Sequence, residues 1–278
     1  MSMLRTTTAL IFALILGQHA LAGSNETSST AKPGAMLVLI DDASTVKLGA
    51  MPIDRLTYVK AIQRGKALGA KSVTIKLFLE SPTNRDSELA AAMQSIPVFL
   101  QTRSGGVDRN PLPGLMRQGS IPNPLELGPL VLPQEVLLKQ AAGVGFVDAR
   151  LPDSHDRVEL FATVQKAGLL PSLQLLLAEN ITSSRATVVA GRLTLGGRSF
   201  EIDQEGRAKC PYLQIRDASH ISIESFLDSK LNESLIRGKT VIVGYGRSDS
   251  PKIDVGLGNS VPVHEYFFRQ VLCLAGGR

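Results

Sequence analysis

Three short apolar runs, separated by stretches with helical spacing, constrain this chain most. AMLVLID (35–41), SVTIKLFL (72–79) and PVFLQTR (97–103) each read as a strand. The first is almost unbroken in its apolarity, which suits a strand covered on both faces, because a strand with one wet face alternates. Between the first two runs, Leu56, Val59, Ala61, Ile62 and Leu68 recur at helical spacing, and Gly69 supplies the stop. Between the second and third, DSELAAAMQ (86–94) is rich in strong helix formers and opens on an Asp. A β-α-β-α-β order favours parallel strands joined by crossovers, with helices covering the sheet. The expected fold is α/β, a three-layer sandwich around a mainly parallel sheet. An apolar content of 44% is enough for a sizeable core.

The remaining segments fit the same plan with one interruption. Residues 104–133 are rich in Gly and Pro and read as a long surface insertion. GVGFVDARLPDSHDRVELFATV (143–164) reads as two short strands around a turn at Pro152-Asp153-Ser154. RLTLGGRSFEID (192–203) alternates around Gly196-Gly197, a two-residue hairpin signal. Together these predict an inserted β-hairpin region. Helices are expected over 171–181, 222–231 and 261–274, and another buried strand over 239–245. No internal repeat is present.

The N-terminus carries an address. Arg5 precedes the apolar run ALIFALIL (9–16), and Ala20-Leu21-Ala22 offers a small-residue cleavage site before Gly23. This is the pattern of a secretory leader over residues 1–22. An uncleaved membrane anchor is the alternative, but the run is shorter than the roughly 20 residues that span a bilayer. Residues 23–34, small and polar, read as a flexible lead-in, and the domain proper is expected over 35–278. The protein is thus expected to be periplasmic or secreted, or else anchored through the uncleaved segment. Export permits a disulfide between Cys210 and Cys273, although the apolar helical surroundings of Cys273 favour two buried thiols. No C-x-x-C occurs, so neither a redox pair nor a zinc knuckle is supported.

Several motifs bear on chemistry. The net charge of +5 is mild and no Lys/Arg block exists, which argues against nucleic acid as a partner. Gly238-Lys239-Thr240 looks like the end of a P-loop, but Glu233 stands where the first Gly is needed. The order there is also helix, turn, strand, with no helix N-terminus to face a phosphate. ATP or GTP binding is not expected at this stretch, and Lys239 is expected at a solvated strand start. Asp41 and Asp42 fall at the carboxyl end of the first strand, where open α/β sheets bind ligands, and could hold a cation or a cationic ligand. The plainer reading has one Asp capping the following turn and both in solvent. Glu80 and Asp254 could share that rim. His155 and His264 each sit beside an acidic residue, but neither has the spacing of a metal motif. No metal and no cofactor is expected, and no G-x-S-x-G marks a serine nucleophile.

Six segments in order carry a family likeness: VLIDDASTVKLGAMPIDR (38–55), LGAKSVTIKLFLESPTNRDSEL (68–89), GVGFVDARLPDSHDRVELFA (143–162), PSLQLLLAE (171–179), IRGKTVIVGYG (236–246) and VPVHEYFFRQVL (261–272). Over roughly 36–275 the chain resembles the CHASE type 2 domain. That is an extracellular sensory domain of bacterial histidine kinases, adenylate and guanylate cyclases and serine/threonine kinases. The matching positions are Asp41, Ser44, Pro52, Arg55, Asp86, Asp153, Arg157, Gly238, Lys239, Gly244 and His264. The family's tryptophans are missing, with Met51 and Ile53 flanking Pro52, and Lys76 stands in place of an acidic residue.

The resemblance implies a sensor and not an enzyme. Its partner would be a small-molecule ligand or a membrane-bound signalling protein, with Asp41, Asp42, Arg55, Glu80, Asp254 and His264 as candidate ligand contacts. Family members continue through transmembrane helices into an output domain, which this sequence does not include, so the expectation is a stand-alone module acting in trans. Two alternatives are a degenerate scaffold, suggested by the absent Trp and by Lys76, and an exported hydrolase using Asp41, Asp42, Glu80 and Asp254 with His264.

Overall fold

The computed structural model describes residues 34–49, 52–107, 113–150, 156–164, 168–215, 218–256 and 259–277. The expected leader, nearly all of the lead-in, Met51, His155 and the turn at Pro152-Asp153-Ser154 lie outside the described residues.

Six parallel strands form the central sheet: β1 (Ala35–Ile40), β2 (Ser72–Ile75), β3 (Val98–Ser104), β4 (Gly143–Phe146), β5 (His220–Ser222) and β6 (Thr240–Tyr245). Their spatial order is β5-β1-β6-β2-β3-β4, and Leu130–Val131 adds an antiparallel pair at the end of β3. The helices that use this sheet are α1 (Asp42–Leu48), α2 (Arg55–Ala67), α3 (Asp86–Met93), α4 (Leu173–Thr182), α5 (Ile223–Leu227) and α6 (Val263–Ala275).

Alternation along each strand divides the core in two. On β1, Met36, Val38 and Ile40 pack with Tyr58, Val59 and Ile62 of α2, Leu89 of α3 and Phe226 of α5. Ala35 and Leu37 point the other way, toward Leu173 and Leu177 of α4 and Phe267, Phe268 and Val271 of α6. Both faces of the strand are therefore dry, which is why AMLVLI reads as a continuous apolar run. The result is the three-layer α/β sandwich expected from the sequence.

The middle of the chain departs from expectation. Residues 104–133 are not a plain surface insertion. Leu125–Leu127 pairs with Phe161–Val164, and Leu127, Leu130 and Leu132 are buried in a third core with Phe146, Ala162, Val164 and Leu170. The two strands expected around the turn at 152–154 do not pair with each other. β4 joins the central sheet, Arg157–Glu159 pairs with Arg207–Lys209, and Phe161–Val164 lies in the small sheet. The hairpin at Gly196-Gly197 forms as expected, with φ of +57° and +77°, values that glycine adopts without penalty. β2 ends at Ile75 instead of Leu79, and the helix expected over 222–231 spans only Ile223–Leu227.

Two further readings are corrected. Cys210 and Cys273 are bonded, with Cα atoms 6.1 Å apart and both residues buried in the α4/α6 core. The apolar surroundings that favoured free thiols enclose the bond itself. Lys239, expected in solvent, is buried, because Gly238 (φ +72°) turns the chain inward so that its N–H reaches Gly69 and the Lys239 carbonyl accepts from Lys71. No helix opens on Gly238-Lys239-Thr240; Thr240 begins β6.

Candidate functional site

Parallel strands bring their carboxyl ends to one rim, so the residues just after each strand decide what that rim can bind. After β1, Asp41 is the N-cap of α1. Its Oδ1 accepts from the Ser44 N–H at 2.8 Å and the Ser44 hydroxyl at 2.6 Å. The Ser44 hydroxyl holds the carboxylate below its ordinary pKa. Asp42 accepts from the Ser248 N–H at 3.0 Å and lies 3.7 Å from Arg247 Nε, which ties the loop after β6 to the start of α1. These two carboxylates are used in local structure, as the plainer reading of the sequence had it for Asp41.

Beyond β2 the chain builds a different arrangement. Arg55, in the first turn of α2, donates from Nε to Asp86 Oδ1 at 3.1 Å and from Nη2 to the Ser81 carbonyl at 3.0 Å. Asp86 also accepts from the Thr83 N–H and hydroxyl, each at 2.9 Å. The two charged side chains are 7% and 9% exposed, so the pair is nearly dry and its remaining lone pairs are satisfied. This network pins residues 81–86 against α2.

The pinned loop forms one wall of a cleft of about 610 Å³. Leu48, Pro52 and Ile53 give it an apolar side, and Phe78, Asp54 and Glu80 line it as well. Asp54 caps α2 through one oxygen, accepting from the Leu56 N–H at 2.8 Å. The Oε2 atom of Glu80 is buried and has no hydrogen-bond partner among the described residues. A buried acceptor left unpaired costs about 1–3 kcal/mol.

On the opposite face of the sheet lies a buried polar layer. Ile75 is paired with Leu100 and with Val243, so one residue on, Lys76 lies beside Gln101 and Gly244. A Cβ on Gly244 would collide with His264 Nδ1, so the imidazole occupies the space this glycine leaves. Thr74 Oγ1, Gln101 Oε1 and His264 Nδ1 are buried without hydrogen-bond partners among the described residues. Lys76 Nζ sits 4.7 Å from the Phe267 ring centroid and makes no ion pair among the described residues. Burial lowers the Lys76 pKa to about 8. Burial, and then the Lys76 charge, lower that of His264 to about 2, so its imidazole is neutral at ordinary pH.

Of the six residues read from the sequence as ligand contacts, two line this cleft. Arg55 and Glu80 line the cleft; Asp41 and Asp42 are engaged at α1. His264 is buried against Gly244, and Asp254 is exposed on the hairpin formed by Lys252–Gly256 and Asn259–Pro262. Sequence reasoning missed Asp54 and Phe78, whose only local signal was a capping position and a strand end. Among the described residues no group of three or more His, Cys, Asp or Glu side chains could hold a metal ion. No described helix is long and apolar enough to cross a membrane.

A family model described as the CHASE2 domain matches residues 9–255. The match starts and ends earlier than the span read from the sequence, and α6 lies past it. Searches of curated proteins and of solved structures found no match.

Proposed function

Because the chain belongs to the CHASE2 domain family, an extracellular sensory domain of signalling proteins, we propose that it is an exported sensory module that binds a small ligand in the Arg55–Glu80 cleft. In this reading the receiver of the signal is a membrane-bound signalling protein on which the module acts in trans, and the module itself catalyses nothing. The cleft carries the proposal: about 610 Å³ lies within the range of small-molecule sites, with an apolar side and a few converging polar groups. The Arg55–Asp86 pair supports a sensing role as well as binding. It joins the cleft wall to α2, a helix of the central sandwich, so a ligand that shifts residues 81–86 also bears on α2.

Calorimetric titration of the full chain with cell-envelope metabolites tests this, alongside the variant Ser81→Trp, which places an indole in the cleft from an exposed position. Binding that Ser81→Trp abolishes is the expected result. Binding of undiminished strength in that variant would move the ligand elsewhere and refute the proposal.

A further inference from the structure

We infer that the cleft selects an organic cation, specifically a primary ammonium carried on a small apolar body. The inference rests on the reading of the cleft as a ligand site and adds the class of ligand. Charge makes the first argument. Four charged residues line the cleft: Asp54, Arg55, Glu80 and Arg85. Both cations are already matched by carboxylates, Arg55 by Asp86 at 3.1 Å and Arg85 by Glu88 at 3.0 Å. Arg103, whose guanidinium lies 4.7 Å from the Phe78 centroid, interacts with Asp148. Glu80 and Asp54 have no such counter-ion among the described residues, and Asp54 spends only one oxygen on capping α2. The field inside the cleft is therefore negative.

Hydrogen bonding narrows the class. Glu80 and Asp54 both bring carboxylates to the cleft lining, and one Asp54 oxygen is not used in capping α2. A metal ion would need more converging oxygens than the described residues supply. A quaternary ammonium brings charge but no N–H. A primary ammonium brings both, and its charge-assisted bond to a carboxylate is among the stronger kinds. Shape supplies the rest. Leu48, Pro52 and Ile53 offer apolar surface beside the carboxylates, so an apolar body of modest size is buried while its amino group reaches Glu80.

The test is an NMR titration of the isotopically labelled full chain with three probes of one size: phenethylammonium, its N,N,N-trimethyl derivative, and 3-phenylpropionate. Phenethylammonium should bind most tightly and perturb residues 52–56 and 78–85. The trimethyl derivative should bind more weakly, and phenylpropionate should leave those residues unshifted. Glu80→Gln, which keeps the shape and removes the charge, should weaken phenethylammonium at least about tenfold. The resonances of Arg55 and Asp86 serve as a check that the variant cleft is intact. If phenylpropionate shifts the cleft instead, or Glu80→Gln binds phenethylammonium as the wild type does, the cationic class is refuted and the cleft remains a ligand site. If none of the three probes shifts the cleft, the inference and the ligand reading fall together.

Discussion

Replacing Lys76 by Met should stabilise the protein, because the native lysine is buried without a counter-ion among the described residues. Its side chain leaves the end of β2 on the α6 side, where its charge lies 4.7 Å from the Phe267 ring centroid and also acts on His264. Burial lowers its pKa from 10.5 to about 8. At about 1.4 kcal/mol per pH unit, that fall amounts to about 3 kcal/mol of cost in the folded state at neutral pH. Methionine forgoes the cation–π attraction to Phe267, which offsets about 1 kcal/mol of the gain. It fills a similar unbranched volume, so packing changes little. The net expectation is a gain of about 2 kcal/mol, or about 6 °C in Tm for a domain of this size.

The pH dependence gives an independent check on sign. The folded lysine holds its proton more weakly than the unfolded one, so between about pH 8 and 10.5 the unfolded chain binds more protons. Wild-type stability should therefore rise relative to Lys76→Met through that window, and the two should converge near its top. Urea unfolding of both proteins at intervals from pH 7 to 10.5 measures this. A variant less stable than wild type at pH 7, or two curves that stay parallel, would refute the argument.

Three further outcomes follow from the same physics. His264 stays neutral down to about pH 2 when folded but titrates near 6.5 when unfolded, so stability should fall as pH drops below about 6.5. The loss at pH 5 should reach about 2 kcal/mol, and His264→Leu should flatten that slope in acid unfolding curves. Asp86→Ala strands Arg55 as a buried, unpaired cation and should cost about 3–5 kcal/mol in denaturant unfolding. Removing the Cys210–Cys273 bond, which closes a sequence separation of 63, should cost about 4 kcal/mol by loop entropy, measured on the double Ala variant.

Local pattern made the sandwich legible. β1, α2, α3, β3, α4, β6 and α6 each announce themselves by apolar run, helical period or stop residue, because burial acts residue by residue. α1 was hidden: DASTVKL carries β-branched Thr45 and Val46, and its main signal is the Asp41 cap. The position of β6 between β1 and β2 was also hidden, since strand order depends on pairings across more than 160 residues. The cleft was half legible. Arg55 and Glu80 were named from the sequence, and Asp86 was visible as a helix start. Their grouping depends on a buried ion pair 31 residues apart in sequence, which no local period encodes. The carboxylates at the end of β1 looked more available than they are, because sequence does not show that Ser44 and Ser248 turn toward them.

The most direct test of ligand sensing at this cleft is hydrogen–deuterium exchange of the full chain, with and without a pool of cell-envelope metabolites. Slowed exchange should concentrate in residues 52–56 and 78–86, where the cleft and its Arg55–Asp86 clasp lie. Protection confined to other segments, or none in any pool, would contradict it.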